Sequence, residues 1–168
     1  MTKMHRHDLS KRDVKELLER ALRLHPLLHD KLRALVKERW ELVKIKNFVA
    51  YLVNGSPMLI EVDGNLIPSI KLAEEVSYPK IVVDMGAVPH IIRGADVMAP
   101  GIRFAPPSME PGDILAVADE KHGRVFAVGV ALMSHKEVFE LRRGKALKVL
   151  HRVGDEIWSL EVEGKSFK

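Results

Sequence analysis

The chain has 168 residues, 46% hydrophobic and 30% charged, so it can bury a core and keep a charged surface. It has no cysteine, which excludes disulfides, thiolate metal ligands and a cysteine nucleophile. The net charge is +4, and the basic excess lies mainly in residues 1–46, with 13 Lys and Arg against 7 Asp and Glu. Because the sequence shows neither a secretory signal nor an apolar run of membrane-spanning length, we expect a cytoplasmic protein with no membrane partner.

The first elements are predicted to be helices. Ser10 has the spacing of a helix N-cap, with Asp13 at the capping-box position, and apolar residues recur at helical spacing over residues 14–24. Pro26 is expected to end this helix, because proline lacks a backbone donor and restricts the residue before it. A second helical stretch is expected over residues 27–38.

After residue 39 the hydrophobic pattern changes to a period of two, which is typical of strands. Asn54-Gly55 and Asp63-Gly64 are pairs that tolerate positive φ, so we expect them to form hairpin turns. Four short strands and a helical turn at residues 71–75 are predicted, the strands being Trp40–Ile45, Phe48–Asn54, Pro57–Val62 and Leu66–Ser69. With the preceding helices they predict a small α+β domain.

The remaining sequence is divided into short elements by glycine and proline. Ser134 and Glu137 have the spacing of a capping box, and Gly144 is expected to end the helix that they begin. Further elements are predicted at residues 81–83, 114–118, 125–133, 145–153 and 156–162 as strands, and at residues 88–93 and 136–143 as helices. Such a pattern is typical of a small closed or partly closed barrel.

The search for catalytic motifs is negative. The sequence contains no Walker loop, no dinucleotide-binding glycine pattern and no nucleophile elbow, so we expect neither an enzyme nor a cofactor. His25 and His29 have the spacing of two metal ligands on one helix, but Pro26 lies between them and no third ligand is near, so no metal site is predicted. His5 and His7 alternate in an N-terminal segment that we expect to be mobile.

The basic excess near the N-terminus favours contact with a polyanion. A solvated, charge-rich helix would show the same excess, so the charge alone leaves both interpretations open. We predict a secondary basic patch on the first helix, made of Lys11, Arg12, Lys15, Arg20 and Arg23.

Residues 83–102 combine a strand, a tight glycine turn, a short helix, a glycine stop and a second strand. A corner built only for packing would explain the glycines by themselves. The pattern is Val-Asp-x-Gly-Ala at residues 83–87 and Gly-Ala-Asp-Val-Met-Ala-Pro-Gly-Ile at residues 94–102. It resembles the opening of the PUA domain, which is named for pseudouridine synthase and archaeosine transglycosylase, and the resemblance extends over about residues 80–162.

This resemblance implies an RNA-binding face made by the first short helix of the domain, the strand after it and the closing strands. Arg93 and Arg152 would neutralise phosphate, and Met98 would meet an exposed base. Trp158 is expected to be a core residue rather than a stacking platform. The face carried over to this sequence comprises Gly86, Ala87, His90, Arg93, Gly94, Ala95, Met98, Pro100, Gly101, Lys148, His151 and Arg152.

The whole chain is similar to the malignant T-cell-amplified-sequence proteins and their yeast translation-machinery-associated counterpart, in an archaeal-type form. The similarity includes Asp-Gly-x-Leu-x-Pro-Ser at residues 63–69 and a Tyr78-Pro79 linker before the PUA pattern. It implies an α+β chain with a small N-terminal domain at residues 1–77, a PUA-type pseudo-barrel at residues 78–163 and a tail at residues 164–168.

The family resemblance implies RNA as the partner: the small ribosomal subunit, the tRNA acceptor end or both, in translation initiation or recycling. Eukaryotic members pair with density-regulated protein, so a protein partner at the N-terminal domain is also expected. An alternative is an RNA-binding module of ribosome biogenesis or RNA modification, which would use the same face for a different RNA. A further alternative is a protein-docking module to which RNA binding is incidental.

Overall fold

The computed structural model describes residues 4–160, and the predicted tail lies outside them. The strands form two sheets, and helices lie between them in the chain, so the predicted α+β class is confirmed. The elements in chain order are β1 (His5–Asp8), α1 (Lys11–Leu24), a 3₁₀ turn (Pro26–Leu28), α2 (His29–Ala34), β2 (Trp40–Ile45), β3 (Phe48–Val53), β4 (Ser56–Val62), β5 (Asn65–Pro68), α3 (Ile70–Glu75), β6 (Lys80–Val83), α4 (Val88–Ile92), β7 (Val97–Met98), a 3₁₀ turn (Ala99–Gly101), β8 (Ile102–Phe104), β9 (Ile114–Asp119), β10 (Val125–Ala131), α5 (His135–Leu141) and β11 (Lys145–Arg152).

The N-terminal sheet is an antiparallel meander in the order β1-β2-β3-β4-β5. Its predicted hairpins are confirmed: Asn54 and Gly55 have φ of 51° and 81°, and Asp63 and Gly64 have φ of 49° and 75°. Positive φ at both central residues matches the right-handed twist of the adjoining strands. Helix α1 packs its apolar stripe into the core of this half, and the predicted capping box at Ser10 is present.

Two N-terminal expectations are corrected. The segment expected to be mobile forms β1, in which Arg6 Nε lies 2.6 Å from Glu41 Oε2 on β2. The second helix is shorter than predicted, since α2 ends at Ala34. The helix is followed by a turn, in which the carbonyl of Leu35 accepts hydrogen bonds from the backbone N–H of Glu38 at 3.1 Å and from the Trp40 indole N–H at 2.9 Å.

The C-terminal sheet has the order β7-β11-β10-β9-β6-β8. Its two edge strands, β7 and β8, are consecutive in the chain and are joined only by the 3₁₀ turn Ala99–Gly101. A sheet whose opposite edges meet through three residues must curl, which produces the predicted partly closed barrel. Its interior contains a second hydrophobic cluster that includes Ile81, Ile102 and Leu147.

The predicted last strand at residues 156–162 is wrong, because residues 156–160 are helical and residues 161–162 lie outside the described part. Asp155 begins this helical turn: its Oδ1 accepts a hydrogen bond from the backbone N–H of Trp158 at 2.7 Å. Trp158 is half-buried and packs against the hydrophobic core, as expected.

The hydrophobic cluster of the N-terminal half also contains residues of the C-terminal half. Leu150, Ile157 and Leu160 belong to the same buried cluster as the side chains of α1 and β2–β5. Polar contacts cross the same boundary, since Lys148 Nζ lies 3.0 Å from Asp63 Oδ2. Within residues 4–160, no helix combines the length and the apolar character needed to cross a membrane.

Candidate nucleic-acid interface

A pocket of about 390 Å³ opens beside α4 in the C-terminal half. Half of the residues predicted for the RNA-binding face line it, and all of these belong to the motif at residues 83–102. The lining residues are Asp84, Ala87, His90, Ile91, Ala95, Asp96, Met98, Pro100 and Gly101.

The turn after β6 builds one wall of this pocket. Asp84 Oδ1 accepts a hydrogen bond from the backbone N–H of Ala87 at 2.8 Å, and the N–H of Asp84 donates to the carbonyl of Gly101 at 2.9 Å. A Cβ atom at Gly101 would lie only 3.2 Å from the Cβ of Ala87. Glycine at position 101 therefore lets the two segments approach each other and closes this side of the pocket.

The end of α4 presents two basic side chains to solvent, and one of them, His90, lines the pocket. The helix stops at Gly94, which has a φ of 111°, and the N–H of Ala95 donates back to the carbonyl of His90 at 3.0 Å. His90 and Arg93 are exposed at this end. The Arg152 guanidinium lies against Gly94, because a Cβ atom there would be 4.0 Å from Arg152 Nη2.

Carboxylates lie inside the pocket and cations lie outside it. Asp96 Oδ1 accepts a hydrogen bond from the N–H of Val149 at 3.0 Å, which ties the segment before β7 to β11. Lys145 Nζ lies 3.5 Å from Asp96 Oδ2 and adds a cation to the rim. The interior thus suits an uncharged group with hydrogen-bond donors, whereas the rim suits phosphate.

Met98 supplies an apolar surface at the mouth of the pocket and is 46% exposed. It is paired with Lys145 across β7 and β11. An exposed thioether on a fixed strand is suited to contact with the flat face of a base.

Three predicted residues are placed away from the pocket lining. His151 is only 2% exposed, and its Nδ1 lies 2.9 Å from Asp155 Oδ2, so it cannot offer its ring to a surface ligand and the predicted contact is corrected. Lys148 is exposed but is paired with Asp63 of the N-terminal half. Gly86 is exposed in the turn before α4 without lining the pocket.

The Asp155 carboxylate is part of a buried polar network rather than of a binding surface. Burial by itself would raise its pKa, but hydrogen bonds from His151 and from the backbone N–H groups of Trp158 and Arg152 outweigh burial and lower the pKa. The carboxylate is therefore held in its charged form beneath the rim that carries Arg152.

Lys145 and Arg142 are residues of this region that the sequence-based prediction missed. Lys145 had a recognisable signal, because it is a cation at the start of the strand predicted at residues 145–153. Arg142 Nη1 and Nη2 donate to the carbonyls of Ile102 and Pro100 at 3.2 and 3.3 Å. Arg142 was missed because no sequence motif predicts a contact between a side chain and a backbone carbonyl 40 residues earlier in the chain.

The predicted secondary basic patch is only partly available. Arg20 Nη2 is bound to Glu61 Oε1 at 2.6 Å, and the pKa of Arg20 is raised chiefly by that hydrogen bond. Arg12 is paired with Glu16 at 3.2 Å on the same helix. Lys11, Lys15 and Arg23 are exposed, and no ion pair to another described residue occupies them.

The two histidines with metal-like spacing face different surroundings. His25 is buried, with Nδ1 2.8 Å from the Tyr78 hydroxyl and Nε2 2.6 Å from the carbonyl of Leu66. His29 Nδ1 lies 3.1 Å from Asp30 Oδ1 at the surface. Among residues 4–160 no group of three His, Asp or Glu side chains is placed to hold a metal ion.

Comparison with known proteins gives consistent matches. Residues 79–153 match the PUA domain, and residues 5–74 match a domain of unknown function (DUF1947). An uncharacterized protein of Methanocaldococcus jannaschii is 36% identical over 160 residues, covering 93% of this chain and 96% of the relative. Translation machinery-associated protein 20 of Saccharomyces cerevisiae is 29% identical, over 96% of this chain and 98% of the relative. The crystal structure of a hypothetical protein of Pyrococcus horikoshii has a TM-score of 0.77 and 38% identity, covering 94% of this chain and 99% of that chain.

Proposed function

This chain belongs to the family of PUA-domain proteins that includes translation machinery-associated protein 20, and we therefore propose that it binds RNA in translation without catalysing a reaction. More specifically, we propose that it engages the small ribosomal subunit, the acceptor end of tRNA or both. The names of its yeast relatives support a place in the translation machinery. The observation that carries the proposal is the pocket beside α4, with Lys145 and Arg152 next to residues that line or adjoin it.

The charge distribution supports single-stranded RNA as the ligand. Phosphate would be repelled by Asp84 and Asp96 inside the pocket and attracted by Arg93 and Arg152 outside it. A nucleoside that leaves the stack can enter the pocket while its phosphates stay on the rim, whereas the bases of a duplex are stacked and paired. The unpaired end of a tRNA presents such nucleosides.

The secondary patch supplies a separate contact. Of its five members, only Lys11, Lys15 and Arg23 are exposed without an ion pair among the described residues. These three face solvent along α1 and read no base, so we propose that they contact the phosphates of a larger RNA such as ribosomal RNA. Their contribution would depend strongly on salt and little on sequence.

The test is binding of the purified protein to isolated small ribosomal subunits and to tRNA with and without its 3′ single strand, over a salt series. Replacement of Arg93 and Arg152 by glutamine should weaken end-dependent binding and lower the log–log salt slope by about 0.7–0.9 for each lost phosphate contact. The combined replacement of Lys121 and Arg124 by glutamine, in the exposed turn between β9 and β10, removes two positive charges outside the pocket and serves as the matched control.

Three outcomes separate the hypotheses. Tight subunit binding with end-dependent tRNA binding supports the proposal. Co-purification with RNA-modification or pre-ribosomal factors, with weak binding to mature subunits, favours the alternative in ribosome biogenesis. If the variant with both arginines replaced binds tRNA as tightly as the parent, with the same salt slope, the proposed face is wrong.

A further inference from the structure

Arg142 follows α5 with a left-handed backbone, at φ 50° and ψ 34°. Glycine is the usual residue at this position after a helix, because a side chain with a Cβ atom is disfavoured there. Asn54, Asp63 and Ser77 are other residues with positive φ, and all are short polar residues that suit turns. A long side chain at position 142 thus has a conformational cost without a local reason.

The contacts of the guanidinium provide a reason. Nη1 donates to the carbonyl of Ile102 and Nη2 to the carbonyl of Pro100, at 3.2 and 3.3 Å, so the two bonds bracket Gly101. The guanidinium carbon also lies 5.5 Å from the centre of the Phe139 ring, which fixes its orientation. A planar fork with several donors can hold two carbonyls at once, and a lysine ammonium matches this geometry less well.

The bracketed segment is a wall of the pocket. Pro100 and Gly101 line it, whereas Arg142 does not. The carbonyl of Gly101 accepts from the N–H of Asp84, a second lining residue. The N–H of Ala99 donates to the carbonyl of Gly144 at 2.9 Å, so the end of α5 holds this turn at three points.

We propose that Arg142 is a positioning residue of the pocket, which sets the shape of the Pro100–Gly101 wall from behind and meets no phosphate itself. The proposal rests on the proposed function in one respect, that the ligand of the pocket is RNA. The role of Arg142 in shaping the wall concerns the free protein and does not depend on the ligand.

Two variants test it. Arg142→Gly removes the fork and relaxes the left-handed backbone, so the strain that glycine relieves should offset most of the stability lost with the two hydrogen bonds, and the protein should stay folded. Arg142→Lys keeps the charge and loses the two-point contact. Both should bind tRNA about tenfold more weakly, because without the two bonds the binding-competent shape of the wall would be populated only about one-tenth of the time.

Two readouts distinguish positioning from direct contact. The log–log salt slope should stay unchanged, whereas loss of a phosphate contact would lower it by about 0.7–0.9. Amide hydrogen exchange of Asp84, whose N–H is bonded to Gly101, should accelerate in the free variants. Lys136→Gln, which removes a positive charge from the exposed side of α5, should change neither quantity.

Parent-like tRNA affinity in both variants, or a reduced salt slope in Arg142→Gly, overturns the proposal. If the parent protein itself fails to bind tRNA, the proposed function fails. The exchange measurement still decides the role of Arg142 in that case, because unchanged exchange at Asp84 would show that the fork does not hold the wall.

Discussion

Gly129 is the position in the barrel where a single added methyl group should be most damaging. It lies buried in β10, next to the point where the register between β10 and β11 shifts. A Cβ atom at Gly129 would overlap the backbone carbonyl oxygen of Lys148 and the Cδ2 atom of Leu147, and it would lie 3.1 Å from Leu147 Cγ. The Leu147 side chain can rotate, but the carbonyl of Lys148 cannot move unless β11 moves with it.

The cost of Gly129→Ala follows from that constraint. Overpacking a rigid site costs about 1–3 kcal/mol, and each ladder hydrogen bond lost when β10 and β11 separate adds about 1 kcal/mol. A total of about 3–4 kcal/mol corresponds to a fall of about 10 °C in melting temperature for a chain of this size.

The assay is thermal unfolding followed by circular dichroism, with urea unfolding as a second measure. Gly123→Ala is the matched control, because Gly123 has a φ of 66° in an exposed turn and no atom lies within 4 Å of the added methyl. The control should lose only about 1 kcal/mol from backbone strain. If the melting temperature of Gly129→Ala lies within about 3 °C of that of the control, β11 can move aside and the argument fails.

Two further predictions concern the buried pair between His25 and Tyr78. Tyr78→Phe leaves His25 Nδ1 without its hydrogen-bond partner and should lower the free energy of unfolding in urea by about 1–3 kcal/mol, so an unchanged urea midpoint would contradict the structure. Burial lowers the pKa of His25 from its ordinary 6.5 and raises that of Tyr78 to about 12. The unfolded chain therefore binds the His25 proton more tightly than the folded one. The stability contributed by neutral His25 should be complete above pH 6.5 and should decline as the pH falls from there through the lower folded pKa, and parallel urea titrations of the parent and His25→Gln should converge at acidic pH.

The predictable parts of the fold have local causes. Asn54-Gly55 and Asp63-Gly64 form hairpins because their own φ angles permit the turn. Ser134 caps α5 because its hydroxyl accepts a hydrogen bond three residues ahead, from the N–H of Glu137 at 3.1 Å. Each of these signals lies within a few residues, so the sequence alone suffices to locate the elements.

The parts that were missed depend on distant partners. The four residues of strand β1 are polar and exposed, so the sequence shows no apolar alternation there. The position of the strand is set by pairing with β2 and by the ion pair of Arg6 with Glu41. The turn at residues 156–160 carries apolar residues that fit a strand as well, and only the cap at Asp155 distinguishes the two.

The residues of the candidate site also fall into those predicted from local sequence and those that depend on distant partners. Residues of the motif at 83–102 come together around the pocket, because the turn and the short helix that hold them are local structures. His151 was misplaced because its burial depends on Asp155 and on the shared core, which a strand pattern does not reveal. Arg142 was missed because its partners lie 40 residues earlier in the chain.

The hydrophobic cluster shared by the two halves also affects the order in which parts of the chain can fold during synthesis. The hairpins β2–β5 are local and can pair as soon as they emerge, but Ile157 and Leu160 cover part of the same core and are made about a hundred residues later. Until they arrive, apolar surface of the first half stays in contact with water. The nascent first half is therefore an unfinished unit, and a chain cut before residue 157 would keep its hairpins but lack part of the apolar cover that joins them to the barrel.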